Sequence, residues 1–283
     1  MAGQSRPLSD WIGSKERKED VITLAPALGV SALLDREEPV IEMGAPLPAL
    51  WHWFYFLPQV PGSKIGTDGH PQRGGFLPPV DLPRRMFAGA RMEIVAPPVI
   101  GLPATREGTV LKVTEKSGNS GKLVFVTVEY RVSQEGELCI REEQDIVYKE
   151  AGGRIAAPVP LKEWPPLPAG AVSQVVEPSE VFLFRFSALT FNAHRIHYDR
   201  RYAMEEEGYP GLVVHGPLTA LMLAELAARN STGRIRSFSF QGRAPLFDLH
   251  PFRLVGIKES DKLVLEAQGP TGATAMTATA ILG

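Results

Sequence analysis

Between residues 124 and 131 the chain alternates strictly. Val124, Val126, Val128 and Tyr130 fall on one side, and Phe125, Thr127, Glu129 and Arg131 on the other. A period of two is what a half-buried antiparallel strand requires. Similar β-rich runs cover 86–95, 107–115, 123–132 and 138–148, separated by turn residues at 117–121 and 134–136. Four more strands are predicted at 235–241, 252–259, 262–267 and 273–282, and a ninth at 181–186. Helices are predicted at 9–19, 26–34, 200–207 and 217–228. The run 47–57 is apolar all round, which marks a buried helix. Residues 58–83 dissolve into Gly, Pro and polar positions, a length of coil that is functional or disordered when it occurs inside a domain. A hydrophobic helix followed by a run of antiparallel strands thus occurs twice. The fold class that follows is α+β, with two halves that each wrap a sheet round a central helix.

The 283 residues allow one large domain or two modest ones. Five prolines between 158 and 168 (Pro158, Pro160, Pro165, Pro166, Pro168) read as a stiff extended tether. The expected units are therefore 1–150, a linker at 151–172, and 173–283. A formal net charge of −2 gives no basic excess to hold a phosphate backbone, so nucleic acid is not an expected partner. Cys139 is the single cysteine, which excludes an intrachain disulfide and any Cys-rich metal site. No apolar run reaches the length of a membrane span. The N-terminus lacks the apolar stretch of a secretory signal. The expectation is a cytoplasmic protein with no membrane partner.

Reactive side chains concentrate at 186–199, in Phe-Ser-Ala-Leu-Thr-Phe-Asn-Ala-His-Arg-Ile-His-Tyr-Asp, which holds His194 and His197, two of the six histidines. Further on, His215-Gly216-Pro217 opens the predicted apolar helix. Amides at a helix start lack intrahelical partners and carry the positive end of the dipole. The N–H of Gly216, free of a Cβ, suits an oxyanion or a thioester carbonyl.

These residues resemble the MaoC-like, hot-dog (R)-specific hydratases and dehydratases. Their motif is Asp, a spacer, Asn-Pro, a spacer and His. Its His falls on His197, its Asp on Asn192, and its Asn-Pro on His194-Arg195. The form Thr-Phe-Asn-x-His-Arg-Ile-His-Tyr-Asp is similar to the branch of mesaconyl-C4-CoA and itaconyl-CoA hydratases and mitochondrial 3-hydroxyacyl-thioester dehydratases. The segments 50–58 and 74–79 resemble that branch's degenerate N-terminal domain.

The resemblance implies a double hot-dog fold and a hydro-lyase acting on an acyl-CoA thioester, without cofactor or metal, with one site in the C-terminal half. A homodimer is compatible with it. The substrate it implies is a short dicarboxylic enoyl-CoA, itaconyl-CoA or mesaconyl-C4-CoA, hydrated to citramalyl-CoA. The alternatives are a 3-hydroxyacyl-thioester dehydratase of fatty-acid synthesis and a non-catalytic acyl-thioester binder. His197 is the expected acid–base group, and Gly216 the oxyanion donor. Asn192, an amide that takes no proton at neutral pH, orients water or only braces its own turn. His194 is either catalytic or loop-bracing, and Asp199 reads as a helix N-cap. Arg195, Arg243 and Arg91 are the candidate cations for a distal carboxylate or for CoA phosphates.

Overall fold

In the computed structural model, which describes residues 6–36, 40–118 and 121–283, ten antiparallel strands form one sheet. Residues up to 149 supply β1 (Lys15–Val21), β2 (Arg84–Ile94), β3 (Pro103–Gly118), β4 (Gly121–Gln134) and β5 (Glu137–Lys149). Residues from 172 onward supply β6 (Val172–Val176), β7 (Ile235–Gly242), β8 (Phe252–Glu259), β9 (Lys262–Gln268) and β10 (Thr274–Leu282). The order β1-β3-β4-β5-β2-β7-β10-β9-β8-β6 reads the same from both ends. The two five-stranded halves are therefore related by a pseudo-twofold at the β2–β7 seam. There Gly89 faces Gln241, and a Cβ on Gly89 would lie 2.5 Å from the Phe240 carbonyl. Glycine is what lets the halves close.

Among the described residues four α-helices accompany the sheet: α1 (Leu24–Leu33), α2 (Glu180–Leu189), α3 (Arg200–Glu205) and α4 (Gly216–Arg229). Every α4 residue from Leu218 to Ala227 is buried, so this helix is the one its half wraps. Its counterpart in the first half is only a 3-10 turn, Trp51–Phe54, instead of the helix predicted at 47–57. Leu50 and Phe56 take positive φ (69° and 54°) on either side of it, and a helix cannot run through two left-handed residues. The aromatic run is nevertheless core. Trp51, Phe54 and Phe56 are buried, and Trp51 donates its Nε1–H to Glu225 of α4 at 2.9 Å, which also pairs with Arg36 at 2.8 Å. One buried carboxylate thus joins the two halves.

Three other expectations change. The predicted helix at 9–19 is a 3-10 turn (Leu8–Trp11) followed by β1, an edge strand whose charged side chains pair across to β3, as in Arg17–Glu107 at 2.9 Å. Charged edges block edge-to-edge association, and they leave no apolar period to read. The predicted strand at 181–186 is α2. Ser179 caps it by accepting from the Phe182 amide at 3.1 Å, and Phe186 packs edge-on against Phe54. The coil at 58–83 is neither empty nor free. It lays Phe76, Leu77, Val80 and Leu82 over a second core of Val110, Val124, Val126, Val128 and Tyr148. Arg73 holds it by donating to the carbonyls of Val80, Leu82 and Pro83. The eight strands predicted outside 181–186 all form. In the turn expected at 117–121, residues 119 and 120 lie outside the described residues. No helix among the described residues is long and apolar enough to cross a membrane.

Candidate active site

The loop after α2 starts with Phe191 in the left-handed region (φ 50°) and ends in a 3-10 turn, Arg195–His197. Asn192 Oδ1 accepts from the His194 amide at 3.0 Å, so its side chain shapes this turn. Asp199 caps α3 by accepting from the Tyr202 amide at 3.0 Å. The loop thereby delivers His197 into the core beside the start of α4, where its ring stacks on that of His215, centroids 3.6 Å apart and 18° from parallel.

The protonation of His197 follows from its partner. Nδ1 lies 2.7 Å from the Val213 carbonyl, which only accepts, so Nδ1 carries the hydrogen. In the neutral ring the lone pair is then on Nε2. Burial above all, then the charge of a protonated His194, pushes the pKa of His197 down to about 3. His194, edge-on at 5.3 Å between centroids, is likewise held at about 3, by burial and then by His70. His215 is pushed down by burial and by His197. Its Nε2 is hydrogen-bonded to Ser187 Oγ at 2.9 Å, while its buried Nδ1 meets no partner among the described residues. All three imidazoles are neutral at pH 7.

Gly216 is the first residue of α4. A Cβ there would meet the Phe87 carbonyl at 3.7 Å, an ordinary contact. The fold itself therefore does not demand glycine there.

Composition and motif spacing gave no sign of the next layer. The loop 66–70, from the first half, lies against the motif. Arg195 donates its amide to the Asp68 carbonyl at 2.9 Å and its guanidinium to the Thr67 carbonyl at 3.1 Å. Gly69 (φ +90°) fits only without a side chain, since a Cβ would stand 1.7 Å from the Ala193 oxygen. This places the His70 ring 4.0 Å from that of His194, with His70 Nδ1–H donating to Asp68 Oδ2 at 3.1 Å. Asp68, His70 and His194 bring donor atoms within 4.8 Å of one another, a spacing a metal would accept. Asp68 Oδ2 is already engaged by His70, and the His70 ring in turn lies against that of His194, so we read them as a carboxylate–imidazole pair packed on a second imidazole. Burial would raise the Asp68 carboxyl, but the bonds from His70 outweigh it and hold it below the usual carboxylate range.

The arginines separate. Arg195 gives Nε and Nη2 to Asp199 (3.1 and 2.8 Å) and stacks over Tyr202. Arg91 pairs with Glu143 and Asp145 on the sheet face opposite to that of buried Ala90 and Met92. Arg243 is exposed just beyond β7. Arg85, which the sequence reading passed over, is half-buried on β2, two residues before Phe87. It lines a cavity of ≈ 440 Å³ with Asp68, His70, Tyr202 and Glu207, and its charge acts on His194. Among the described residues the Arg85 side chain makes no hydrogen bond or ion pair.

A ten-stranded sheet with one wrapped helix and a buried histidine at that helix's start defines the class. A solved MaoC-like dehydratase overlays with a TM-score of 0.72 at 14% identity, covering 98% of this chain and 99% of that one. A Mycobacterium tuberculosis protein described as a double hotdog fold overlays with 0.57 at 11% identity, 96% of each chain covered. The fold is α+β double hot-dog. The model of the type 2 hydroxyacyl-thioester dehydratases matches residues 50–248, and the chain belongs to that family. It is a hydro-lyase. It is 57% identical over 273 residues to the mesaconyl-C(4)-CoA hydratase of Chloroflexus aurantiacus, covering 96% of this chain and 97% of the relative.

Proposed function

We propose that the protein hydrates a short dicarboxylic enoyl-CoA, mesaconyl-C4-CoA first, and that His197 is its acid–base group. The reading rests above all on the lone pair of His197 Nε2, fixed by the bond from Nδ1–H to Val213 and set beside the start of α4. Nε2 takes a proton from water as the water oxygen bonds to the β-carbon. The π electrons move to the thioester oxygen, where the Gly216 N–H meets the charge. The imidazolium then returns the proton to the α-carbon, so one water is added and His197 is restored. The reverse sequence is dehydration.

The substrate choice is supported by the relative's activity and by Arg85. A free carboxylate buried without a counter-charge costs several kcal/mol. Arg195 and Arg91 already hold carboxylates of the protein, whereas Arg85 lines the cavity that Asp68 and His70 also line. Exposed Arg243 suits the phosphates of CoA at the rim. The test is a panel of mesaconyl-C4-CoA, itaconyl-CoA, crotonyl-CoA and long-chain enoyl-CoAs, with enoyl absorbance and thiol release followed together. Preference for the dicarboxylic esters without thiol release is expected. Preference for a long neutral chain would replace this reading with an acyl-thioester dehydratase of fatty-acid synthesis.

A further inference from the structure

The motif's carboxylate position is filled by Asn192, whose amide is committed to its own turn. An amide cannot offset charge, yet the reaction makes His197 a cation in a place where burial already disfavours one. A counter-charge must therefore come from outside the loop. Asp199 is taken by Arg195 and the Tyr202 amide, and Glu207 by Arg84 and Tyr202. Asp68 alone among these is hydrogen-bonded to an imidazole of the cluster.

We propose that Asp68 and His70, from the half without the motif, complete the site: Asp68 is the carboxylate missing at 192. It acts through His70 and His194 on the imidazolium of His197. Both are positioning residues, and the inference rests on the role given to His197 above. Three features hold the carboxylate in place. The Asp68 carbonyl accepts from the Arg195 amide, the Thr67 carbonyl accepts from its guanidinium, and Gly69 seats against Ala193 where no other residue fits. Asp68 Oδ1 also accepts from the His70 amide at 2.9 Å, which orients the ring through its own backbone. The charges facing His194 are His70, then His215 and Arg85, against a cation there and Asp68 in favour of it, and those facing His197 are His194 and His70. A dicarboxylic substrate that neutralises Arg85 would remove one of the charges opposing Asp68. The second half of the chain supplies the base, and the first half supplies the charge that lets the base work.

The experiment uses the full chain and whichever enoyl-CoA the wild type turns over fastest. Asp68→Asn keeps the Oδ1 acceptor for the His70 amide but removes the charge and the acceptor that His70 Nδ1–H uses. It should lower kcat by at least about tenfold with KM within about twofold, the pattern of a group that matters in the transition state. Asn192→Asp, which places a carboxylate where the motif has it, should restore at least half of that loss in the Asp68→Asn background. His70→Gln should lower kcat as Asp68→Asn does. Wild-type kcat in Asp68→Asn overturns the inference. So does a loss that Asn192→Asp does not relieve, since a structural role would not respond to a carboxylate elsewhere. Inactivation by a chelator with recovery on adding Zn²⁺ would assign the three donors to a metal and overturn it as well. If the wild type hydrates no enoyl-CoA, the proposed function fails instead, which keeps the two failures distinct.

Discussion

The imidazoles of His197 and His215 lie face to face, 3.6 Å between centroids, with His215 as N-cap of the helix whose first amide belongs to Gly216. Two stacked rings at that distance resist sharing positive charge. His197 therefore holds the His215 ring neutral, adding to its burial, and the Val213 carbonyl fixes which edge of His197 carries the hydrogen.

Replacing His197 by Ala should lower kcat by at least about a hundredfold, the usual reach of a positioned acid–base group. The fold should persist, as read by far-UV circular dichroism. Turnover near the wild-type rate would remove His197 from the chemistry.

Acidification should destabilise the protein well before its carboxylates titrate. The folded values of about 3 for His194 and His197 lie below the ~6.5 of an exposed imidazole. Between those limits the unfolded chain binds protons that the folded one refuses. The free energy of unfolding should thus fall by about 1.4 kcal/mol per pH unit for each histidine. Asp68, held below the ordinary carboxylate range, adds stability that is lost only below about pH 3.9. Urea titrations at pH 7 and pH 5 measure the slope, and His197→Gln should reduce it. An unchanged midpoint would refute buried neutral histidines.

Gly216→Ala and Gly69→Ala should behave differently. The Cβ at 216 finds ordinary room, so that variant should melt near the wild type while losing activity to crowding at the amide. At 69 the Cβ collides with the Ala193 carbonyl. Stability and activity should fall together there, by about 1–3 kcal/mol in unfolding. Calorimetry beside the enoyl-CoA assay separates the two cases.

Arg85→Met should cost about 2–5 kcal/mol in kcat/KM for mesaconyl-C4-CoA, the scale of a desolvated charge pair. Crotonyl-CoA, which lacks the second carboxylate, should lose far less. Equal losses on both would assign Arg85 to CoA or to the fold.

Glu225→Ala should be among the most destabilising single changes. It removes the buried carboxylate that Arg36 and Trp51 share, and breaking a buried ion pair costs about 3–5 kcal/mol. Glu225→Gln, which keeps an acceptor for Trp51, should cost less. Denaturant midpoints of the two variants decide the order.

The sequence by itself determined the elements whose burial is one-sided or complete. Eight strands show a period of two or an unbroken apolar run, and α4 shows an apolar stretch opened by His-Gly-Pro, because local pattern and tertiary environment agree there. The segment 186–199 was legible for the same reason: its histidines stand close in the chain. Tertiary structure alone decided the rest. β1 is a charged edge with no apolar period. α2 hides a capped helix inside a run of Val and Phe. The segment 47–57 is apolar enough for a helix, but left-handed residues on both sides make it a turn. The site shows the same division most sharply. Nothing in the spacing of Asp68, His70 and Arg85 connects them to His197 more than a hundred residues away. They meet because the pseudo-twofold sheet brings β2 beside β7, and because Gly69 lets one loop press against another. A pairing of that kind is set by backbone approach across the fold, which no local period encodes.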